Sequence, residues 1–197
     1  MSRGPRRRAA AVLFAVAALV PIAACSTNNS AMTTGNNGGG AGSAFALTTD
    51  AAAAIKAAGL PAMATEGSVV HYHAHLDVII NGAAVTVPAS IGIDSANRAI
   101  SPLHTHTPDG VVHIEAEQDA NFTVGQLLTE WGVKLDKTCI ATYCTDDKSQ
   151  LLAFKNGKAD VDPPAITIKA HDEIVLWYGP KGGTPSVPSS YEFKGGL

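Results

Sequence analysis

Soft ligands and positive charge are both scarce in this sequence. Beyond the first 24 residues only Met32 and Met63 occur, which excludes a thioether-rich Cu(I) site. The cysteines number three and no two have the two-residue spacing of thioredoxin-like motifs, which argues against a redox dithiol. Four of the 14 basic residues fall in the first 24 positions. The rest of the chain carries ten basic against seventeen acidic side chains, a net of -7. A nucleic-acid binder needs a basic surface to neutralise phosphates, so that class is excluded. Beyond the leader no apolar run approaches the length of a membrane span. At 197 residues in total, the chain has room for one domain of a hundred-odd residues with a core of its own, and a multidomain enzyme is not expected.

What is present begins with a targeting signal. Arg3, Arg6, Arg7 and Arg8 precede the apolar run Ala9 to Val20, too short for a stable span, and the run leads into Ile22-Ala23-Ala24-Cys25. Charge order, length and Cys position resemble the lipobox of bacterial lipoproteins. That resemblance implies that residues 1-24 are a signal peptide and that Cys25 is lipidated. It also implies an extracytoplasmic protein, anchored to the cell membrane. Several acyl chains, each contributing about 0.8 kcal/mol per buried methylene, would make the anchoring stable.

Composition divides the remainder. Residues 25-48 are rich in Ser, Thr, Asn and Gly and read as a flexible tether. A single domain is expected over 49-179, followed by a Gly/Pro-rich tail at 180-197 that hugs the surface or moves freely. Asp50 is placed to cap a short Ala-rich helix over 51-58. Val69 to Ile80 alternates, Asn81-Gly82 is a hairpin turn, and Ala83 to Val87 returns. Leu103-Thr107 and Val111-Glu117 flank Pro108-Asp109-Gly110 as a second hairpin. Thr123 with Gln126 forms a capping box, and Gly132 closes the helix that follows. Strands are expected at 150-155 and 173-178. The class is α+β, a mostly antiparallel, hairpin-built sheet with one packed helix.

Six of the seven histidines fall in two short clusters. In a strand, alternate side chains share a face, so His71, His73, His75 and Asp77 line one side while Tyr72, Leu76, Val78 and Ile80 line the other. In the second hairpin, a two-residue turn sets His106 opposite His113 and position 104 opposite Glu115, and a four-residue turn sets His104 opposite His113. A bulged type I turn instead turns His113 away. Two of these three registers gather His104, His106, His113 and Glu115 on one face. Neutral imidazoles in close array suit a borderline divalent metal, and the nitrogen-rich set favours Cu(II) over Zn(II). His171, alone in a turn, is expected to be an ordinary surface residue. Cys139 and Cys144, an even pair in an oxidising compartment, are expected to form a structural disulfide.

Residues 104 to 179, with hairpin, capped helix, strand, Asn156-Gly157 turn and a last strand entered through His171-Asp172-Glu173, resemble a β-grasp arrangement. A β-grasp-like fold is implied, without the function of sulfur-carrier members, because Leu197 follows the Gly195-Gly196 pair and the chain carries an export signal. The wider pattern comprises His71-Tyr72-His73, Asn81-Gly82, Ile91-Gly92-Ile93, Leu103-His104-Thr105-His106 and Val112-His113-Ile114-Glu115. It is similar to uncharacterised exported histidine-rich proteins of bacteria and archaea, which implies a shared site and no particular mechanism.

The expected function is a membrane-tethered metal-binding module for capture, delivery or sequestration, partnered by a metal ion and by a protein that donates or accepts it. Protonation of the imidazoles, with an ordinary pKa near 6.5, would release the ion below about pH 6. A metal-dependent hydrolase is the rival, with Glu115, Glu117 or Asp77 as base. No nucleophile elbow or phosphate loop accompanies them, so a non-enzyme is expected. A metal-free envelope interaction module is the third reading.

Overall fold

A computed structural model describes residues 44-160 and 162-195. The leader, Cys25 and all but the end of the expected tether lie outside them. The class is α+β: among the described residues, two α-helices accompany a curled, mixed sheet and two small antiparallel sheets. None of the helices among the described residues is long and apolar enough to cross a membrane.

The longest strand, β1 (Val70-Ile80), organises the sheet. Its even-numbered residues Ala74, Leu76, Val78 and Ile80 are all buried in the core, as the alternation requires. Asn81 adopts a positive φ of 53°, and the tight turn sends the chain into β2 (Ala83-Val85), with Ile80 opposite Ala83. Pairing stops at Val85, short of the expected Val87. A minor hairpin of β3 (Ile93-Asp94) and β4 (Ala99-Ile100) follows.

The second hairpin is shorter than its sequence suggests. β5 comprises only Leu103-His104, β6 runs Val111-Ala116, and Leu103 pairs with Ile114 and His104 with His113. This is the register expected of a four-residue turn, but the chain leaves the ladder at Thr105, whose hydroxyl donates to the Pro88 carbonyl while its N-H donates to that of Ile91.

Two helices pack together. Helix α1 (Ala51-Ala57) starts at Asp50, whose carboxylate accepts from Ala53 N-H. Helix α2 (Val124-Trp131) carries the capping box: Gln126 N-H donates to the Thr123 hydroxyl, and Thr123 N-H to the Gln126 side chain. Phe122 and Leu127, at the staple positions, are both buried. The folded unit begins earlier than residue 49. Phe45 is 5% exposed in the core, and its carbonyl accepts from Trp131 Nε1 at 2.9 Å. The composition of 25-48 hid this, because one aromatic at the end of a polar stretch is enough to anchor it.

After the two-stranded β7 (Cys139-Ile140) and β8 (Tyr143-Cys144), joined by the Cys139-Cys144 disulfide, the chain returns through β9 (Ser149-Lys155) and β10 (Lys158-Asp160) to β11 (Glu173-Pro180). The sheet order is β10-β9-β11-β1-β6-β5, with β2 on β1. The β1-β11 pair is parallel and the remaining pairs are antiparallel, so the sheet is mixed rather than built of hairpins alone. β1 finds β6 directly, with His73 opposite His113 and His71 opposite Glu115. This pairing joins the two histidine clusters.

Candidate metal centre

Three adjacent strands form the site. Across β5, β6 and β1 the cross-strand partners are His104, His113 and His73, a row of imidazoles on neighbouring strands. One ring nitrogen from each of His104, His106 and His113 lies within 4.8 Å of the other two, and His71, His73 and Glu115 make a second such trio. Between them, His73 Nε2 stands 3.0 Å from His113 Nδ1, and Glu115 Oε1 stands 3.2 Å from the same nitrogen.

The protonation of His104 follows from its partner. Its Nδ1 lies 2.9 Å from the Ser101 carbonyl, which only accepts, so Nδ1 carries the proton and Nε2 presents a lone pair. That lone pair faces His106 Nε2 at 3.1 Å. A carbonyl fixing the far side of a ligand imidazole is the usual support of a metal-binding histidine. His104 and His73 are buried, whereas His71 and His106 are open to solvent.

Burial dominates the electrostatics. His73, His104 and His113 are each pushed down to about 4, in every case first by loss of water. The neighbouring imidazoles add to the shift: His113 acts on His73, and His106 on both His104 and His113. Glu115 is raised, by burial and then by the carboxylate of Glu66. The buried rings are therefore neutral and ligand-competent well below the pH at which free imidazole protonates.

Glu66 is not among the expected ligands. Its carboxylate lies 3.2 Å from His106 Nε2 and 4.0 Å from His104 Nε2, and it groups with His104 and Glu115. Gly67 makes this possible, because a Cβ there would collide with the Ala116 backbone. Only a glycine lets the chain entering β1 run against the end of β6, with Val69 N-H donating to the Ala116 carbonyl. A Glu-Gly pair just ahead of the histidine strand was the available signal, but the contact it makes is with a strand some fifty residues away.

His75 and Asp77 stand apart from the other expected ligands. His75 Nε2 lies 2.9 Å from the Asp109 carbonyl and Nδ1 2.9 Å from Glu173 Oε2, so both nitrogens are engaged. Burial lowers its affinity for a proton, but the Glu173 carboxylate and the Asp109 carbonyl outweigh that and raise it overall. Gly110, at φ 82°, packs where a Cβ would strike the Leu76 carbonyl and the His75 ring, and Tyr191 of the tail stacks on that ring at 3.8 Å. His75 thus groups with Asp77 and Glu173, a further potential ligand trio. The seventh histidine, His171, is exposed and adopts a positive φ of 59°.

No family model matches the chain, and neither does any curated protein or solved structure.

Proposed function

We propose that this protein is a lipid-anchored, extracytoplasmic metal-binding module that takes Cu(II) or Zn(II) at the β5-β6-β1 histidine cluster for capture, delivery or sequestration. The reading rests on one observation above the rest, the convergence of His104, His106 and His113 with the His104 lone pair fixed toward its neighbours. In a tetrahedral site with metal-nitrogen bonds of 2.0-2.1 Å, ligand atoms stand about 3.3 Å apart. The spacings of 3.1 Å between His104 and His106, and 3.2 Å between His106 and Glu66, match that scale. The donors are imidazole and carboxylate with no sulfur, which suits both ions, and intrinsic affinity for nitrogen donors favours Cu(II).

Membrane attachment through Cys25 would hold the site above the bilayer, where an ion donor or acceptor protein can reach it. A β-grasp-like organisation is supported by the parallel β1-β11 pair between antiparallel β6 and β9, with α2 between β6 and β9 in the chain. This reading takes β1 into the fold, ahead of the residues whose sequence first suggested it.

The test is calorimetric titration of Cu(II) and Zn(II) into the full chain, beside His106→Ala and the combined variant His73→Ala, His104→Ala, His106→Ala and His113→Ala, with circular dichroism to verify folding. His106→Ala should weaken binding at least tenfold, and the combined variant should abolish it. Wild-type protein that binds neither ion overturns the reading. For the anchor, Cys25→Ser should move the protein from the membrane fraction to the soluble one; unchanged partitioning removes the lipid from the account.

A further inference from the structure

The cluster offers more donors than one ion can use. His71, His73, His104, His106, His113, Glu66 and Glu115 supply seven, while a Zn(II) site takes about four. The donors also gather in a particular way. The trio His104, His106, His113 and the trio His71, His73, Glu115 share no residue, yet each brings its ligand atoms within 4.8 Å of one another.

The trios differ in origin. The first is built by β5, β6 and the loop after β5, and Glu66 lies within 4.0 Å of two of its members. The second lies where β1 crosses β6, with His71 Nε2 3.4 Å from Glu115 Oε1. They adjoin through His113, whose Nδ1 lies 3.0 Å from His73 Nε2 and 3.2 Å from Glu115 Oε1. Glu115 also groups with Glu66 and His104, so one buried carboxylate borders both sets. A carboxylate between two ligand trios is placed to bridge two cations and offset part of their mutual repulsion.

We propose that the cluster is a two-ion centre. One divalent ion is held by His104, His106 and His113 with Glu66 as the fourth ligand, and a second by His71, His73 and Glu115, with Glu115 lying between the two. The inference rests on the metal-binding reading above and adds to it a second site with its own residues. The two sites are unequal. The first offers four donors, with His104 buried and pre-set by the Ser101 carbonyl, whereas the second offers three and depends on His71, whose side chain is 60% exposed. The first site therefore fills before the second, and the exposed His71 edge is where the second ion enters or leaves.

The test is native mass spectrometry of the full chain, released from detergent after titration with Zn(II) alone, with bound zinc counted independently by elemental analysis. Wild type should carry two ions that load in separable steps. His71→Ala, at an exposed position that leaves the core untouched, should carry one ion with the tighter step preserved, and His106→Ala should lose the tighter step and keep the weaker. A wild-type count of one, lowered in affinity by both variants, overturns the two-ion centre and leaves the metal-binding reading standing. A wild-type count of none overturns both.

Discussion

His73 Nε2 and His113 Nδ1 lie 3.0 Å apart, though 40 residues separate them in the chain. Their strands pair antiparallel with these two positions directly opposed, so backbone register alone brings the rings together. The same register puts His71 against Glu115. A slip by one residue would turn the histidines of one strand to the core side and away from those of the other, which makes the site as robust as the pairing itself.

The depressed proton affinity of the buried rings fixes a pH window for stability. His73, His104 and His113 protonate at about 4 in the folded chain and at about 6.5 when unfolded. Between these values the unfolded state binds more protons, so stability falls as pH drops from about 6.5 to about 4. Thermal unfolding of the metal-free protein should show Tm declining across that interval, with a shallower decline in His104→Gln. A flat Tm would contradict the burial of these rings. Metal release shifts with it: the buried ligands stay neutral to near pH 4, so retention should extend below the pH of about 6 expected of free imidazole.

His75 behaves in the opposite sense. Its proton affinity is raised, so the pairing with Glu173 stabilises the fold below pH 6.5 and is lost as pH climbs through the raised value. Glu173 is 1% exposed, and its other oxygen, Oε1, has no partner among the described residues. His75→Ala would strand that carboxylate and should cost about 3-5 kcal/mol in chemical denaturation. Metal stoichiometry should be unchanged. A loss of bound ion from a folded His75→Ala protein would place His75 in the centre after all.

Glu130, on the last turn of α2, is buried with neither carboxyl oxygen hydrogen-bonded among the described residues, and burial raises it to about 8, opposed by the nearby Ser101 side chain. An acid raised above its unfolded value of about 4.5 costs the fold increasingly as pH rises from there to about 8. Glu130→Gln keeps the shape and removes the penalty. Its Tm should exceed wild type at pH 8 and match it near pH 4. Equal Tm at both would show that the carboxyl finds a partner in solution.

The disulfide closes a short loop, since Cys139 and Cys144 are five residues apart. Loop-closure entropy of that size corresponds to about 2 kcal/mol. Reduction, or paired Cys→Ser substitution, should lower stability by that order in a urea titration and leave metal affinity within twofold of wild type. A larger effect on affinity would tie the β7-β8 ribbon to the site.

Local features were readable from the sequence because local chemistry decides them. The Asn81-Gly82 turn, the Thr123-Gln126 capping box, the alternation of β1 and the pairing of the two cysteines each depend on residues within a few positions. The clustering of six histidines was equally visible. What could not be read was partner choice. The three histidines of β1 share a face, yet His71 and His73 look across to β6 while His75 falls under the Asp109-Gly110 loop and beside β11. Nothing in alternating spacing distinguishes them. Glu66 was illegible for the same reason, since its position depends on the close approach that Gly67 allows to Ala116.

The parallel pairing of β1 with β11 joins residues near 75 to residues near 173, nearly a hundred positions later. Synthesis delivers the chain from its N-terminus, so the histidine strand emerges long before the strand that must lie beside it. The centre of the sheet closes only when residue 180 is free, which makes folding a late event with a high entropic barrier. Until then the imidazoles of β1 are ordinary, hydrated and unselective. The ordering of the candidate metal donors, and the low proton affinity that comes with it, is a property the chain acquires at the last step, so a truncated or stalled product has the residues of the candidate centre without their arrangement.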